Sequence, residues 1–393
     1  MNKTAKKLST VLSVIMLAGA SLSFGGCDTT EEATFFPTVF IAQAEGEVYQ
    51  PTIAGEPNKV EIPLLSGDIY TVCANYKLGI ADGYNKEYKD CFAPTPIVIS
   101  WESEETPLYY TLDLATNPDM KNAESYITFD NEVSFPYLYM GYDYYYRISA
   151  KHEDKLIKSR IFKFSTAYLP RTVHIDENVS NTRDWGGYLT TDGMRMKQGI
   201  VYRGGELEHI SEAGKKVMLE DLGIKTDLDV RGDGSSFAHA SPLGSGVNYI
   251  ETTGPYYVGA YGMGIDMEGA YQEALRTEIR AFANPDNFPI YVHCSLGRDR
   301  TGTLCFLIQA LLGVGEQDIY RDYEVSMMSK KGKSETQTAT YMVYMPFGNL
   351  YKYILNFEKG KTLQENAETF MLSIGVTKDE IKAIKANMLE KVQ

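Results

Sequence analysis

Basic residues are in short supply: 38 lysines and arginines stand against 52 aspartates and glutamates, giving a net charge of −14 over 393 residues. A chain so acidic has no polycationic face with which to displace the counterions of a nucleic acid, and a nucleic-acid partner is not expected. Metal-binding patterns are missing as well. The five cysteines, at positions 27, 73, 91, 294 and 305, include no CxxC pair, and none of the five histidines lies in an HExxH cluster. Neither a structural nor a catalytic metal is therefore expected, and no cofactor. No internal repeat is evident, which sets aside the solenoid architectures. Tryptophan is scarce, with two residues against 29 tyrosines. Tyrosine joins an apolar ring to a polar tip and suits half-exposed strands, so a sizeable β-rich portion is expected.

Long apolar runs are absent except at the start. Lys3, Lys6 and Lys7 precede an apolar stretch from Leu8 to Leu22, the pattern of an export signal, and the stretch ends too soon to read as a membrane span. It closes on Ser23-Phe24-Gly25-Gly26-Cys27, which resembles a bacterial lipobox, although Phe24 departs from the usual Leu-like residue. Residues 1–26 are expected to be a lipoprotein signal peptide, Cys27 the lipid anchor, and residues 27–34 a polar tether. The implied location is a membrane-anchored, exported lipoprotein of the bacterial cell surface or periplasm. Disulfides persist there, so Cys73 and Cys91 could pair; two separately buried thiols are the alternative.

Residues 35–167 show short apolar runs between Gly, Pro, Asn and Asp clusters and no long helical period, which predicts an all-β sandwich. The clearest strands are Ile97 to Trp101, Tyr109 to Leu114, Tyr144 to Ala150 and Ile161 to Thr166, the third with Tyr144, Tyr146, Ile148 and Ala150 on one face. The Trp ending an early strand, the Tyr-Tyr-Tyr-Arg-Ile run and the exit Phe164-Ser165-Thr166-Ala167 make this region similar to a fibronectin type III, immunoglobulin-like domain. Its role is either a spacer or docking partner, or a surface-binding module.

From residue 168 to 393 the pattern changes to α/β alternation. Ser211 caps a predicted helix to Leu222, ended by Gly223, and Ile224 to Val230 reads as a strand. Helix is predicted for Glu268 to Ala283, strand for Pro289 to His293, and helix for Thr301 to Leu312, Gln317 to Ser329, Leu350 to Glu358 and Thr377 to Glu390.

At the strand-to-helix junction stands His293-Cys294-Ser295-Leu296-Gly297-Arg298-Asp299-Arg300-Thr301-Gly302: a Cys, five residues, then an Arg. Backbone amides of a tight loop at a helix N-terminus bind a phosphate dianion, and the helix dipole adds positive potential. Ser295, Leu296, Gly297, Arg298 and Thr301 would surround the anion, with Gly297 letting the backbone turn. Arg300 offers a planar fork to two phosphate oxygens. The same field favours the thiolate of Cys294, the nucleophile. Thr301 could donate to the sulfur. His293 reads as a residue that orders the loop, and Cys305, among Leu304, Phe306, Leu307 and Ile308, as packing.

This loop resembles that of the bacterial tyrosine-protein phosphatases that also act on phosphoinositides, whose motif reads much like His-Cys-x-x-Gly-Lys-Asp-Arg-Thr-Gly. Asn181 to Gly187, Val201 to Gly205, Leu222 to Arg231 and Ile374 to Ile381 are similar to the same family. Arg298 stands where the family usually has Lys; the charge is kept, but a guanidinium grips phosphate differently. The resemblance implies Asp299 as the general acid that protonates the leaving oxygen. Asp266, on the Gly-rich segment from Gly259, and Asp229, at the end of a predicted strand, are rivals. Arg183, Asp184 and Arg203 would hold the loop, and Tyr256, Tyr257 and Tyr261 would line its mouth.

The fold expected is an N-terminal all-β sandwich followed by an α/β cysteine-dependent phosphatase fold. The function expected is phosphomonoester hydrolysis through a cysteinyl-phosphate, with phosphotyrosyl protein as first substrate and a dual-specificity, phosphoinositide or inositol phosphate activity as the alternative. A catalytically idle surface-binding protein and a rhodanese-like sulfurtransferase are the readings from other classes.

Overall fold

The computed structural model describes residues 97–103, 106–166, 171–232, 239–259, 263–326, 329 and 340–392. The signal peptide, Cys27, the tether, residues 35–96 with Cys73 and Cys91, and Tyr261 lie outside the described residues. The described residues fall into two compact units, 97–166 and 171–392.

In the first unit the described residues form strands β1 (Ile97–Ser100), β2 (Tyr109–Ala115), β3 (Glu124–Thr128), β4 (Glu132–Phe135), β5 (Asp143–Lys151), β6 (Leu156–Lys158) and β7 (Phe162–Ser165). β1 pairs with β4, while a second sheet runs β3-β2-β5-β6 with β7 also on β5, every pair antiparallel. Period-two alternation sorts the faces: along β5, Tyr144, Tyr146, Ile148 and Ala150 are buried while Asp143 is exposed. Ile97, Ile99, Val133 and Phe135 from one sheet share a core with Leu112, Tyr146, Ile148 and Phe164 from the other. Trp101 meets Tyr110 edge-on at 5.2 Å.

The second unit is built on a six-stranded sheet. Its strands are β8 (Arg171–Thr172), β9 (Arg183–Asp184), β11 (Val201–Gly204), β12 (Thr226–Asp229), β13 (Asn248–Glu251) and β14 (Ile290–His293), in the order β13-β12-β14-β11-β9-β8. β11, β14, β12 and β13 are parallel, and β9 and β8 add an antiparallel edge. β14 lies between β12 and β11 and is buried throughout, as its apolar run requires. The register sets His293 opposite both Asp229 and Gly204, so three strands end side by side at one edge of the sheet. In open α/β sheets that carboxyl edge is where ligands bind. A small antiparallel pair joins β10 (Met194–Met196) to β15 (Leu389–Lys391).

The helices are α1 (Glu212–Lys216), continued by a π-turn over Val217–Asp221, α2 (Ala270–Ala281), α3 (Arg300–Leu312), α4 (Glu316–Val325), α5 (Thr340–Leu355), α6 (Leu363–Ser373) and α7 (Lys378–Met388). Ser211 caps α1 by accepting from the Gly214 amide, and α3 stops at Gly313 in the left-handed region, φ 79°. Three elements depart from expectation. α5 starts well before Leu350 and runs through Pro346, a residue that normally ends a helix. α6 was not expected, although Thr362 and Glu365 form a full capping box at its start. α7 gives way at Leu389 to β15, because the backbone turns extended there and pairs with β10.

Candidate active site

β14 delivers Cys294, 4% exposed, to the carboxyl edge of the sheet, and α3 begins six residues later with Arg300. The turn between them holds its shape through its carbonyls. Ser295 O accepts from the Glu206 amide at 3.3 Å, Leu296 O from Asn181 Nδ2 at 2.9 Å, and Gly297 O from Arg203 Nη2 at 2.8 Å. In a trans peptide the N–H points opposite to the C=O, so three outward carbonyls turn the next three amides inward. None of the backbone amides of residues 295–299 donates to another group among the described residues. Gly297 is required twice over: its φ is +68°, and a Cβ there would fall 2.1 Å from the carbonyl oxygen of Gly204.

Behind the turn lies an ionic clamp. Asp322 on α4 accepts from Arg183 Nε at 2.8 Å and Arg203 Nη1 at 2.6 Å, with all three side chains buried. Burial alone would raise the Asp322 carboxyl, but the two guanidiniums outweigh it and hold it below the usual carboxylate range. Arg183 also binds Asn181 Oδ1 at 2.7 Å, and Asn181 in turn holds Leu296. His293 Nε2 lies 2.9 Å from Asp227 Oδ1, both side chains fully buried. Burial works against the His293 cation, yet Asp227 prevails and pushes it up to about 9. His293 and Asp227 thus form a buried ion pair behind the turn at neutral pH. Arg300 stands over the ring of Tyr256, its Cζ 4.2 Å from the centroid.

A row of unengaged amides between a cysteine and an arginine has the chemistry an oxyanion receptor needs, and residues 176–390 match the tyrosine phosphatase family. The chain belongs to that family. A protein of Cupriavidus necator assigned as a tyrosine-protein phosphatase is 28% identical over 167 residues, 37% of this chain and 60% of that protein. The chain thus spans 60% of the length of that curated relative. The core catalytic domain of the PP-IP phosphatase Siw14 of S. cerevisiae, solved with citrate, aligns over 41% of this chain and 84% of its own at 16% identity, with a TM-score of 0.26. A second structure of the Siw14 catalytic core aligns over 41% and 83% at 16% identity, with a TM-score of 0.25.

Within this phosphatase-family unit the three acid candidates differ in surroundings. Asp299, the residue just before α3, is 19% exposed at its side chain and accepts from the Tyr257 hydroxyl at 2.6 Å and from Arg298 Nε at 3.1 Å. Asp229 is buried and accepts from Arg231 Nε at 2.8 Å, the Arg231 amide at 2.9 Å and the Tyr249 hydroxyl at 3.0 Å. Burial would raise its carboxyl, but Arg231 and His293 bring it below the ordinary value, so it stands ionised. Asp266 is exposed on a turn and accepts from the Gly259 amide at 2.9 Å.

Other expected residues divide. Ser295 is exposed at the mouth, Leu296 is half-buried, and Arg298 is 6% exposed with its fork turned to Asp299. Arg203 grips the turn directly and Arg183 acts through Asp322 and Asn181. Asp184 does not hold the turn: it pairs with Arg171 and accepts from the amides of Gly186 and Gly199, fixing the loop after β9. Tyr257 does not line the mouth; it is 4% exposed and its hydroxyl faces Asp299. The Thr301 hydroxyl is buried with no hydrogen-bond partner among the described residues, so the expected bond to the Cys294 sulfur is not formed. Burial pushes the Cys305 thiol up to about 12, in keeping with a packing residue. Among the described residues no group of His, Cys, Asp and Glu is placed to hold a metal ion.

Sequence reasoning missed Asp322, Asp227, Asn181 and Glu278. Asn181 was within a stretch singled out for its family likeness, and Asp227 within another. Asp322 and Glu278 lie on amphipathic helices whose sequence resembles that of any solvated face, and only the tertiary fold turns them inward.

Proposed function

We propose that the chain is a cysteine-dependent phosphomonoester hydrolase that works through a cysteinyl-phosphate on Cys294. The observation that carries this reading is the turn whose carbonyls at Ser295, Leu296 and Gly297 are all bonded outward, leaving amides between Cys294 and Arg300 with no acceptor among the described residues. The Cys294 thiolate attacks phosphorus in line, an S–P bond forms, and the P–O bond to the leaving group breaks. Arg300 and the turn's amides take up the charge on the equatorial oxygens. Asp299 gives its proton to the departing oxygen and then, as carboxylate, accepts one from the water that attacks phosphorus and releases the thiolate with inorganic phosphate. Asp299 is favoured because its carboxyl belongs to the turn itself and is 19% exposed, whereas that of Asp229 is 3% exposed and that of Asp266 closes its own turn.

Phosphotyrosine is the first substrate class: Tyr256, stacked beneath Arg300, offers an aromatic wall beside the anion site. A phosphoinositide or inositol phosphate is the second, since the turn's amides and Arg300 would take any phosphomonoester. Residues 1–26 direct export as a signal peptide, a lipid on Cys27 then ties the chain to a membrane, and the fibronectin-like β unit serves as a spacer or docking partner.

Turnover of p-nitrophenyl phosphate should fall by roughly 10⁴-fold or more in Cys294→Ser, while vanadate or phosphate still binds. Equal rates in the two proteins would rule out the chemistry. Parallel assays on a phosphotyrosyl peptide and a phosphoinositide rank the two substrate classes by kcat/KM.

A further inference from the structure

Asp299 does not stand alone at the entrance to α3. Its Oδ1 accepts from the Tyr257 hydroxyl at 2.6 Å, and the Tyr257 oxygen lies 2.7 Å from the hydroxyl of Tyr323. A phenol has one proton, and Tyr257 spends its own on Asp299; Tyr323 is therefore the donor in the second bond. The chain of donation runs Tyr323 to Tyr257 to Asp299, with both rings buried, and each link polarises the next. Burial and the Asp299 carboxylate push the Tyr257 hydroxyl well above its ordinary range, so it remains a donor.

The backbone shows how firmly Tyr257 is held. Its φ is +43°, a left-handed conformation that a bulky aromatic residue rarely adopts. Tyr257 N donates to Thr303 Oγ1 at 3.0 Å, and the same hydroxyl donates to the carbonyl of Asp299 at 2.9 Å. Tyr257 O accepts from the Ile265 amide at 2.8 Å. Main chain and ring of Tyr257 are thus both tied to Asp299, one through Thr303 and one directly. Tyr323 is fixed by stacking on Phe347 at 3.9 Å, with an interplanar angle of 12°.

The two carboxylate oxygens end up unequal. Oδ1 receives Tyr257 and Arg298 Nε at 3.1 Å, while Oδ2 has Arg298 Nη2 at 3.3 Å. With Oδ1 engaged by two donors, the transferable proton belongs on Oδ2. We propose that Tyr257, backed by Tyr323, is a positioning residue that aims Oδ2 of Asp299 at the leaving oxygen; this rests on Asp299 being the general acid. Arg298 completes the grip, since a lysine could not bind both oxygens with a planar fork.

The test compares aryl phosphates with good and poor leaving groups, 2,4-dinitrophenyl phosphate and phenyl phosphate, in the full chain. A dinitrophenolate departs without a proton; a phenolate needs one. Asp299→Asn should lose phenyl phosphate turnover by roughly 10²-fold or more while dinitrophenyl turnover changes little. Tyr257→Phe should reproduce this at about a tenth of the size, in kcat and with KM for each substrate unchanged. Tyr323→Phe, one link further out, should show the same leaving-group dependence with a smaller loss, and it gives the readout should Tyr257→Phe not fold. If Asp299→Asn shows no leaving-group dependence, the acid assignment fails. If it does but the tyrosine variants lose both substrates equally, or raise KM alone, the acid assignment stands and the positioning role is overturned.

Discussion

Glu278 is 1% exposed, accepts one hydrogen bond, from Thr252 Oγ1 at 2.6 Å, and is pushed by burial up to about 8 from an ordinary 4.5, with Arg300 opposing. Between those two values the native state keeps a proton that the unfolded chain has released. Its contribution to stability is therefore complete below 4.5 and is lost as pH rises through about 8. His293, raised from 6.5 to about 9, acts with the same sign: its contribution is complete below 6.5 and is lost through 9. Unfolding free energy from urea titrations should fall by a few kcal/mol between about pH 5 and 9 in the native protein. Glu278→Gln keeps an acceptor for Thr252 and cannot ionise, so its profile should be flatter. Parallel profiles for the two proteins would show that Glu278 does not titrate in this range. At this scale the legible residues were those that act as neighbours in the chain, Cys294 to Thr301. Glu278 and Asp322 were not, because their environments are assembled by residues far away in sequence.

Among the elements, α4 does most to shape the site: Asp322 braces the turn through Arg203, and the adjoining Tyr323 reaches the hydroxyl of Tyr257. Removing the charge in Asp322→Asn leaves Arg183 and Arg203 buried without a counterion, a loss of roughly 3–5 kcal/mol. Thermal unfolding should shift down accordingly, and vanadate affinity should fall with it as Gly297 O loses its anchor. Unchanged affinity would mean that the turn keeps its shape without the clamp. β14 and α3 were readable because an apolar run and a capping glycine are local signals. α5 extends through Pro346, where a proline argues locally against a helix that the fold nonetheless continues. β15 was folded into α7 because a strand of three residues carries no period, and it exists only through its pairing with β10.

For the whole molecule, antiparallel strands alone make up residues 97–166 and a mostly parallel sheet with helices makes up residues 171–392, since period-two alternation and α/β alternation cannot share one core. Among the described residues no helix is long and apolar enough to cross a membrane. The parallel strands bring Gly204, Asp229 and His293 to one edge, where Cys294 follows His293. Enzyme mixed with p-nitrophenyl phosphate, quenched in acid within a turnover and digested, should yield the Cys294 peptide carrying a phosphoryl group by mass spectrometry, and Cys294→Ser should yield none by the same route. Turnover with an unmodified Cys294 peptide at every quench time, or phosphate on another residue, would contradict it.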